Sequence, residues 1–317
     1  MASDTIELKT ADKVEITTVL DNTADMLLPG NQVVQRFPRG RRLGETVLRA
    51  EHGFSAVVRV FSGDSSEALL FDAGLSRDGL IHNLDALDVK PNELHAIALS
   101  HGHLDHTNGL AGMLRRLGPQ RMPLLLHPDA MLQRKVTFPD GHEMALPPPD
   151  KRVLRHDGIE LIEERGPSYL LGNSVLITGQ IHRSTAFETG FPTHWAKIGK
   201  EWQRDPLIHD DQALVVNVRD KGLVILTGCG HAGAINTIRY AQELTGIRRV
   251  YSIIGGFHLS GPLFEPIIAP TVEALKETAP KMIVPAHCTG WKATHAIARE
   301  FPDAFVQNSV GTKFVIG

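Results

Sequence analysis

Cysteine is scarce in this chain: Cys229 and Cys288 are the only two in 317 residues. Two isolated cysteines make no disulfide framework, so a reducing compartment, the cytoplasm, is the simpler expectation. No apolar run approaches the length needed to cross a bilayer, and Met1 to Asp12 is polar and acidic with no apolar stretch of signal-peptide type. No membrane partner is therefore expected. Charge of one sign is also lacking: the net charge of −3 leaves no electrostatic footprint for nucleic acid. No repeat of 20 to 50 residues marks a solenoid. What remains is an ordinary globular composition, 42% hydrophobic and 22% charged, enough for one large domain or two small ones.

Histidine, in contrast, is abundant, with sixteen in the chain. Three of them and an aspartate fall within His101-Gly102-His103-Leu104-Asp105-His106. The apolar Leu94 to Leu99 just upstream reads as a buried strand, and Leu110 to Leu117 downstream as a helix. Polar side chains packed this densely at the exit of an apolar strand are costly unless something pairs with them. Four donors of metal-ligand type at this spacing point to a metal ion. In extended backbone, residues two apart face the same way, so His101, His103 and Asp105 could point together and His106 toward a second ion.

Around this cluster the pattern alternates between strands and helices. Strands are expected at Lys13–Leu20, Ala56–Phe61, Ala68–Phe71, Leu124–Leu126, Val153–Ile162, Ser174–Ile177, Ala213–Val218, Leu223–Leu226, Val250–Ile254, Met282–Val284 and Lys313–Ile316. Helices are expected at Arg77–Leu87, Ala234–Leu244, Pro266–Thr278 and Trp291–Glu300. The Pro-rich stretch from Val136 to Arg152 reads as a loop or linker. Ile181 to Asp211 is long and irregular and holds Phe187, Phe191, His194, Trp195 and Trp202. It reads as a pocket wall or lid, with Phe187 and Trp195 toward substrate. The basic run at Arg39, Arg41 and Arg42 is either a solvated loop or an arm that meets an anionic substrate. Strand ends carry Asp72, the histidine cluster, Cys229 and His231, His258 and His287. Asp72 either orients a metal-bound histidine or caps a turn.

The His101–His106 stretch resembles the H-x-H-x-D-H signature of the metallo-β-lactamase superfamily. Phe71-Asp72-Ala73-Gly74, Thr227 to Gly233 (TGCGHAG), Gly255 to Leu259 (GGFHL) and Pro285 to Gly290 (PAHCTG) narrow the likeness. They resemble the branch that includes the dihydropterin ribofuranosyl-aminobenzene phosphate synthase-like proteins, mostly labelled only as metal-dependent hydrolases. The resemblance spans roughly residues 13 to 317. It implies an α/β, four-layer αββα sandwich: two mixed β-sheets packed face to face, with helices on both outer faces. Residues 1–12 then form a tail and 13–317 one domain with a lid-like insertion around 181–211. It also implies His287 as the last superfamily ligand. Two positions depart from the pattern. The usual bridging aspartate is Cys229, and His231 two residues on is the preferred replacement ligand, with Cys229 second. The usual middle histidine is Gln180, for which His182 could substitute.

The function expected from these residues is metal-assisted hydrolysis. One or two divalent ions, zinc first and manganese or iron as alternatives, would hold a hydroxide. His101, His103, Asp105, His106, His231 and His287 would ligate, Asp105 would orient the nucleophile, and His258 or His231 would protonate the leaving group. The preferred substrate is a small lactone, ester or amide. The alternatives are a pterin- or phosphoribosyl-type synthase or transferase, a phosphoesterase, and an inactive ligand-binding protein on the same scaffold. Monomer and homo-oligomer are both left open.

Overall fold

The computed structural model describes residues 7–37, 47–117 and 121–317. The central strands of its two main sheets bury both faces, and their alternation assigns each side chain to one of three spaces. In the strand Ser55–Ser62, Ala56, Val58 and Val60 point one way and Val57 the other. Leu69 and Phe71 oppose Ala68 and Leu70 in Ser65–Phe71. Val224 and Leu226 oppose Leu223 and Ile225 in Gly222–Thr227. The first-named sets, with Val14, Ile16, Val216, Ile254, Val284 and Phe314, form one core shared by two sheets. Each sheet's other face buries its own set against helices. Gly79–Ala86 and Leu110–Leu114 cover the first sheet; Ala234–Thr245, Ile268–Thr278 and Trp291–Glu300 cover the second. Three cores between four layers give the αββα sandwich.

The first sheet has eight strands, in the spatial order Ile159–Glu163, Met122–Leu126, Ala96–Ala98, Ser65–Phe71, Ser55–Ser62, Lys13–Leu20, Lys313–Ile316, Val34–Gln35. The second has seven: Ser168–Leu170, Val175–Ile177, Leu214–Val218, Gly222–Thr227, Val250–Gly256 and Met282–Ala286 in order, with Thr10–Ala11 added beside Leu214–Val218. Both sheets are mixed. Ser65–Phe71, Ala96–Ala98 and Met122–Leu126 run parallel, as do Gly222–Thr227, Val250–Gly256 and Met282–Ala286. These parallel strands deliver their carboxyl ends to a common edge, where α/β sheets place their sites. No helix among the described residues is long and apolar enough to cross a membrane.

Several sequence readings need correction. Thr10–Ala11, read as tail, pairs in parallel with Asn217 and Val218, and Ala11 is fully buried. The supposed linker supplies two strands, Arg134–Thr137 and Glu143–Leu146. The supposedly irregular lid supplies His194–Ile198 and Glu201–Arg204. Together they form a separate four-stranded antiparallel sheet. Its outer strands, such as Glu201–Arg204, are exposed along their length and so show no apolar alternation. Val153–Ile162 is not one strand: Lys151–Leu154 is a helical turn, and extended structure begins at Ile159.

Candidate metal centre

The strand Ala96–Ala98 ends in the buried Leu99-Ser100-His101, and the short helix Leu104–Thr107 starts three residues later. Between them Gly102 has no room for a side chain, because a Cβ would strike the Ala130 carbonyl, and its N–H donates to the Asp210 carboxylate at 2.8 Å. This clamp fixes the directions of the two flanking histidines. Asp72, at the end of the neighbouring strand, accepts from the Ser100 N–H and Oγ–H, both at 2.7 Å, and from His106 Nδ1 at 2.7 Å. Asp72 therefore orients His106 rather than merely capping a turn. Gly228 leaves space for that arrangement, since a Cβ there would meet Ser100 and Asp72.

These hydrogen bonds assign the ring protons. Ser100 Oγ spends its proton on Asp72, so it accepts from His101 Nδ1 at 2.9 Å, and His101 Nε2 is a bare lone pair. His103 Nδ1 lies 3.1 Å from that atom, and His231 Nε2 lies 3.2 Å from His103 Nδ1. Burial drives all three rings toward the neutral form: His101 and His231 fall well below the usual histidine range and His103 to about 3. Three neutral rings thus crowd their nitrogens together, the one on His101 a bare lone pair. Tetrahedral zinc with Zn–N bonds of about 2.0–2.1 Å has N···N edges of roughly 3.3 Å, close to these separations.

A second donor set adjoins the first. Asp105, His106, Cys229 and His287 bring one donor atom each to within 4.8 Å of one another. His287 Nδ1 donates to Asn22 Oδ1 at 3.1 Å, leaving Nε2 buried without a hydrogen-bond partner, 3.3 Å from Asp105 Oδ2. His106 Nε2 faces Cys229 Sγ at 3.2 Å. Cys229 also lies within 4.8 Å of the His101 and His231 donors, so it touches both sets. Its position is the one where the bridging aspartate was expected. Burial, reinforced by the Cys288 thiol, raises the Cys229 thiol well above its ordinary range. Burial would raise Asp105 as well, but His106 and His287 outweigh it and hold this carboxylate far below its ordinary value. For His106, burial is outweighed by Asp72 and Asp105, which raise it to about 9. An orphaned ring nitrogen on His287, which is held by the Asn22 amide, a buried thiol and the carboxylate-held His106 form, with Asp105 and the neutral rings beside them, a donor set that fits one or two divalent cations.

The structure brings His101, His103, Asp105, His106, Cys229, His231 and His287 together. His258 joins them two residues beyond the end of the strand Val250–Gly256, with a ring centroid 4.3 Å from that of His231, next to Phe264 at 4.4 Å and Phe191 at 5.6 Å. Other expected residues stand elsewhere. His182 is exposed and packs on Tyr240, because its neighbour Arg183 turns inward to the carbonyls of His231, Ala232 and Leu207. Trp195 packs between Lys135 and Arg204, and Phe187 against the core beneath the second sheet's helices. Neither is among the rings that meet His258. Gln180, at the missing middle histidine, contacts His209. Arg39 and Arg41 lie outside the described residues. Sequence reasoning missed Ser100, Asn22 and His194 as partners of the ligand rings; His194 Nε2 lies 3.1 Å from His103 Nε2.

The family model for the metallo-beta-lactamase superfamily matches residues 48–182. The 7,8-dihydropterin-6-methyl-4-(beta-D-ribofuranosyl)-aminobenzene-5'-phosphate synthase of Methanocaldococcus jannaschii is 30% identical over 271 residues, 83% of this chain and 89% of that protein. Among solved structures, Tm1679, described as a metal-dependent hydrolase of the beta-lactamase superfamily, superposes with a TM-score of 0.70 at 26% identity. That likeness covers 95% of this chain and 98% of the other. The metallo-beta-lactamase fold protein YhfI of Bacillus subtilis shares the fold, with a TM-score of 0.53 at 12% identity over 96% of this chain and all of that one. The chain belongs to the metallo-β-lactamase superfamily, in the branch that contains the archaeal synthase.

Proposed function

We propose that this protein is a metal-dependent hydrolase acting on a small carbonyl compound: a lactone, ester or amide. The observation that carries the reading is the pair of donor sets meeting at Cys229. His101, His103 and His231 would hold one cation and Asp105, His106, Cys229 and His287 a second. Zinc suits the mixed nitrogen, oxygen and sulfur donors, and manganese or iron the nitrogen and oxygen part. When bound, such cations acidify water toward neutral pH and polarise a substrate oxygen.

The chain's own residues would supply the remaining parts. Asp105, kept ionised by His106 and His287, would orient the attacking water. His258 brings a buried Nδ1 with no partner and would hold the proton for the leaving group. Beside His287 and Asn22 lies a cavity of about 460 Å³, lined also by Trp291, His295, Gln307 and Asn308. That size suits a small molecule. Among the described residues no lysine or arginine lines it, which favours an uncharged carbonyl group over a phosphoester. A small-molecule partner and a cytoplasmic location belong to the same reading.

A second reading has specific support: the 30% identical relative is a synthase. One experiment separates the two. Metal-reconstituted protein is offered lactones, esters, amides and p-nitrophenyl phosphate esters, and separately a dihydropterin with a ribofuranosyl-aminobenzene phosphate. Turnover of a carbonyl substrate that disappears in Asp105→Ala supports the hydrolase. Product formation only from the pterin pair moves the assignment to the synthase, and undiminished activity after full chelation overturns both.

A further inference from the structure

His194 opens the strand His194–Ile198 of the four-stranded sheet, outside the four main layers, yet its side chain is fully buried. Its Nδ1 lies 3.0 Å from the Asp205 backbone carbonyl and 3.5 Å from an Asp205 carboxylate oxygen. Both are acceptors, so the ring proton of a neutral His194 sits on Nδ1 and Nε2 is a lone pair. That Nε2 stands 3.1 Å from His103 Nε2. Only one of the two nitrogens can supply the proton between them, and His194 has already committed its own. His103 therefore carries its proton on Nε2. Its Nδ1 is left bare, pointing at His101 Nε2 and His231 Nε2.

We propose that His194 is a positioning residue: with Asp205 it fixes His103 as the Nε2–H tautomer, so that Nδ1 is the donor presented to the site. Three other rings of the cluster are set in the same manner by different partners: His101 by Ser100, His106 by Asp72 and His287 by Asn22; His231 Nδ1 has no such partner among the described residues. Partners of this kind orient a ligand ring, and their loss typically costs about 10–100-fold in metal affinity. The tautomer assignment stands on hydrogen bonds alone; only its consequence for affinity rests on the metal-binding reading above.

The test uses the full chain in two measurements. In metal-free protein, long-range proton–nitrogen correlation spectra of the histidine rings report which nitrogen of His103 is protonated. The expected result is Nε2–H in the native chain and loss of that single pattern in His194→Leu. In competition with a chromophoric chelator, His194→Leu should bind zinc about 10–100-fold more weakly. His194→Gln, whose amide oxygen can accept from His103 Nε2, should stay within a few-fold of native and provides the comparison if the leucine variant does not fold. A His103 ring protonated at Nδ1 in the native chain overturns the proposal. So does zinc affinity in His194→Leu equal to native, or a glutamine variant as weakened as a well-folded leucine one. A native chain that binds neither zinc, manganese nor iron would remove the metal-binding reading and leave the tautomer result standing.

Discussion

Three donors converge on Asp72: the Ser100 N–H, the Ser100 hydroxyl and His106 Nδ1–H. Only a carboxylate can accept all three, and Asp72 reaches them from a left-handed backbone conformation with φ +60° that side chains seldom adopt. Asp72→Asn keeps the shape but turns an amide donor toward a donor. Zinc affinity should fall about 10–100-fold, read by chelator competition. His231→Ala should lower the metal bound per chain, measured by elemental analysis, whereas His182→Ala should leave it unchanged. The reason for that contrast also shows what the sequence could reveal. His101, His103, Asp105 and His106 sit within six residues, so strand geometry alone points them together. His182 stands out in the sequence only because it lies two residues from Gln180. Its direction depends on Arg183 hooking inward, a long-range contact no local pattern encodes. His194 was invisible for the same reason: 91 residues separate it from the ring it meets.

The extra sheet is tied to the 101–106 loop by charge rather than by apolar packing. Arg134, on the strand Arg134–Thr137, pairs with Asp205 and with the fully buried Asp210, which also accepts the Gly102 N–H. Removing one partner strands a buried charge, so Asp210→Ala should destabilise the fold by about 3–5 kcal/mol in urea unfolding. Replacing both Arg134 and Asp210 with apolar residues of similar volume should restore most of that loss. Glu188 plays a related part at the helix Ala234–Thr245, accepting the Ile235 and Asn236 N–H groups at 2.9 and 2.8 Å. Burial outweighs these bonds and raises its carboxyl above the ordinary value of 4.5. A carboxyl raised in the folded state favours folding while protonated, and that contribution is lost as pH climbs from the unfolded value through the folded one. The stability advantage of the native chain over Glu188→Gln should therefore shrink as pH rises above the ordinary carboxyl value of 4.5. An advantage that grows over this range would contradict burial as the dominant cause.

The architecture was more legible than the insertion. The edge-ward strands Lys13–Leu20 and Lys313–Ile316 alternate between buried and half-exposed residues, and the helix Trp291–Glu300 buries one stripe, so all three stand where their patterns placed them. The four-stranded sheet hid because its side chains are largely polar or exposed and its strands come from two separate stretches. The donors, for their part, come from both main sheets. Residues 101–106 follow the first, and Cys229, His231 and His287 follow the second. A cation seated among them would rivet the two halves of the sandwich along their shared rim. Zinc loading should therefore slow amide hydrogen exchange at Leu99–Ser100 and Thr227–Gly228 together, and leave the far ends of the same strands unaltered. Stripping the ion would be felt as a loosening of that seam, while each sheet keeps its own ladder.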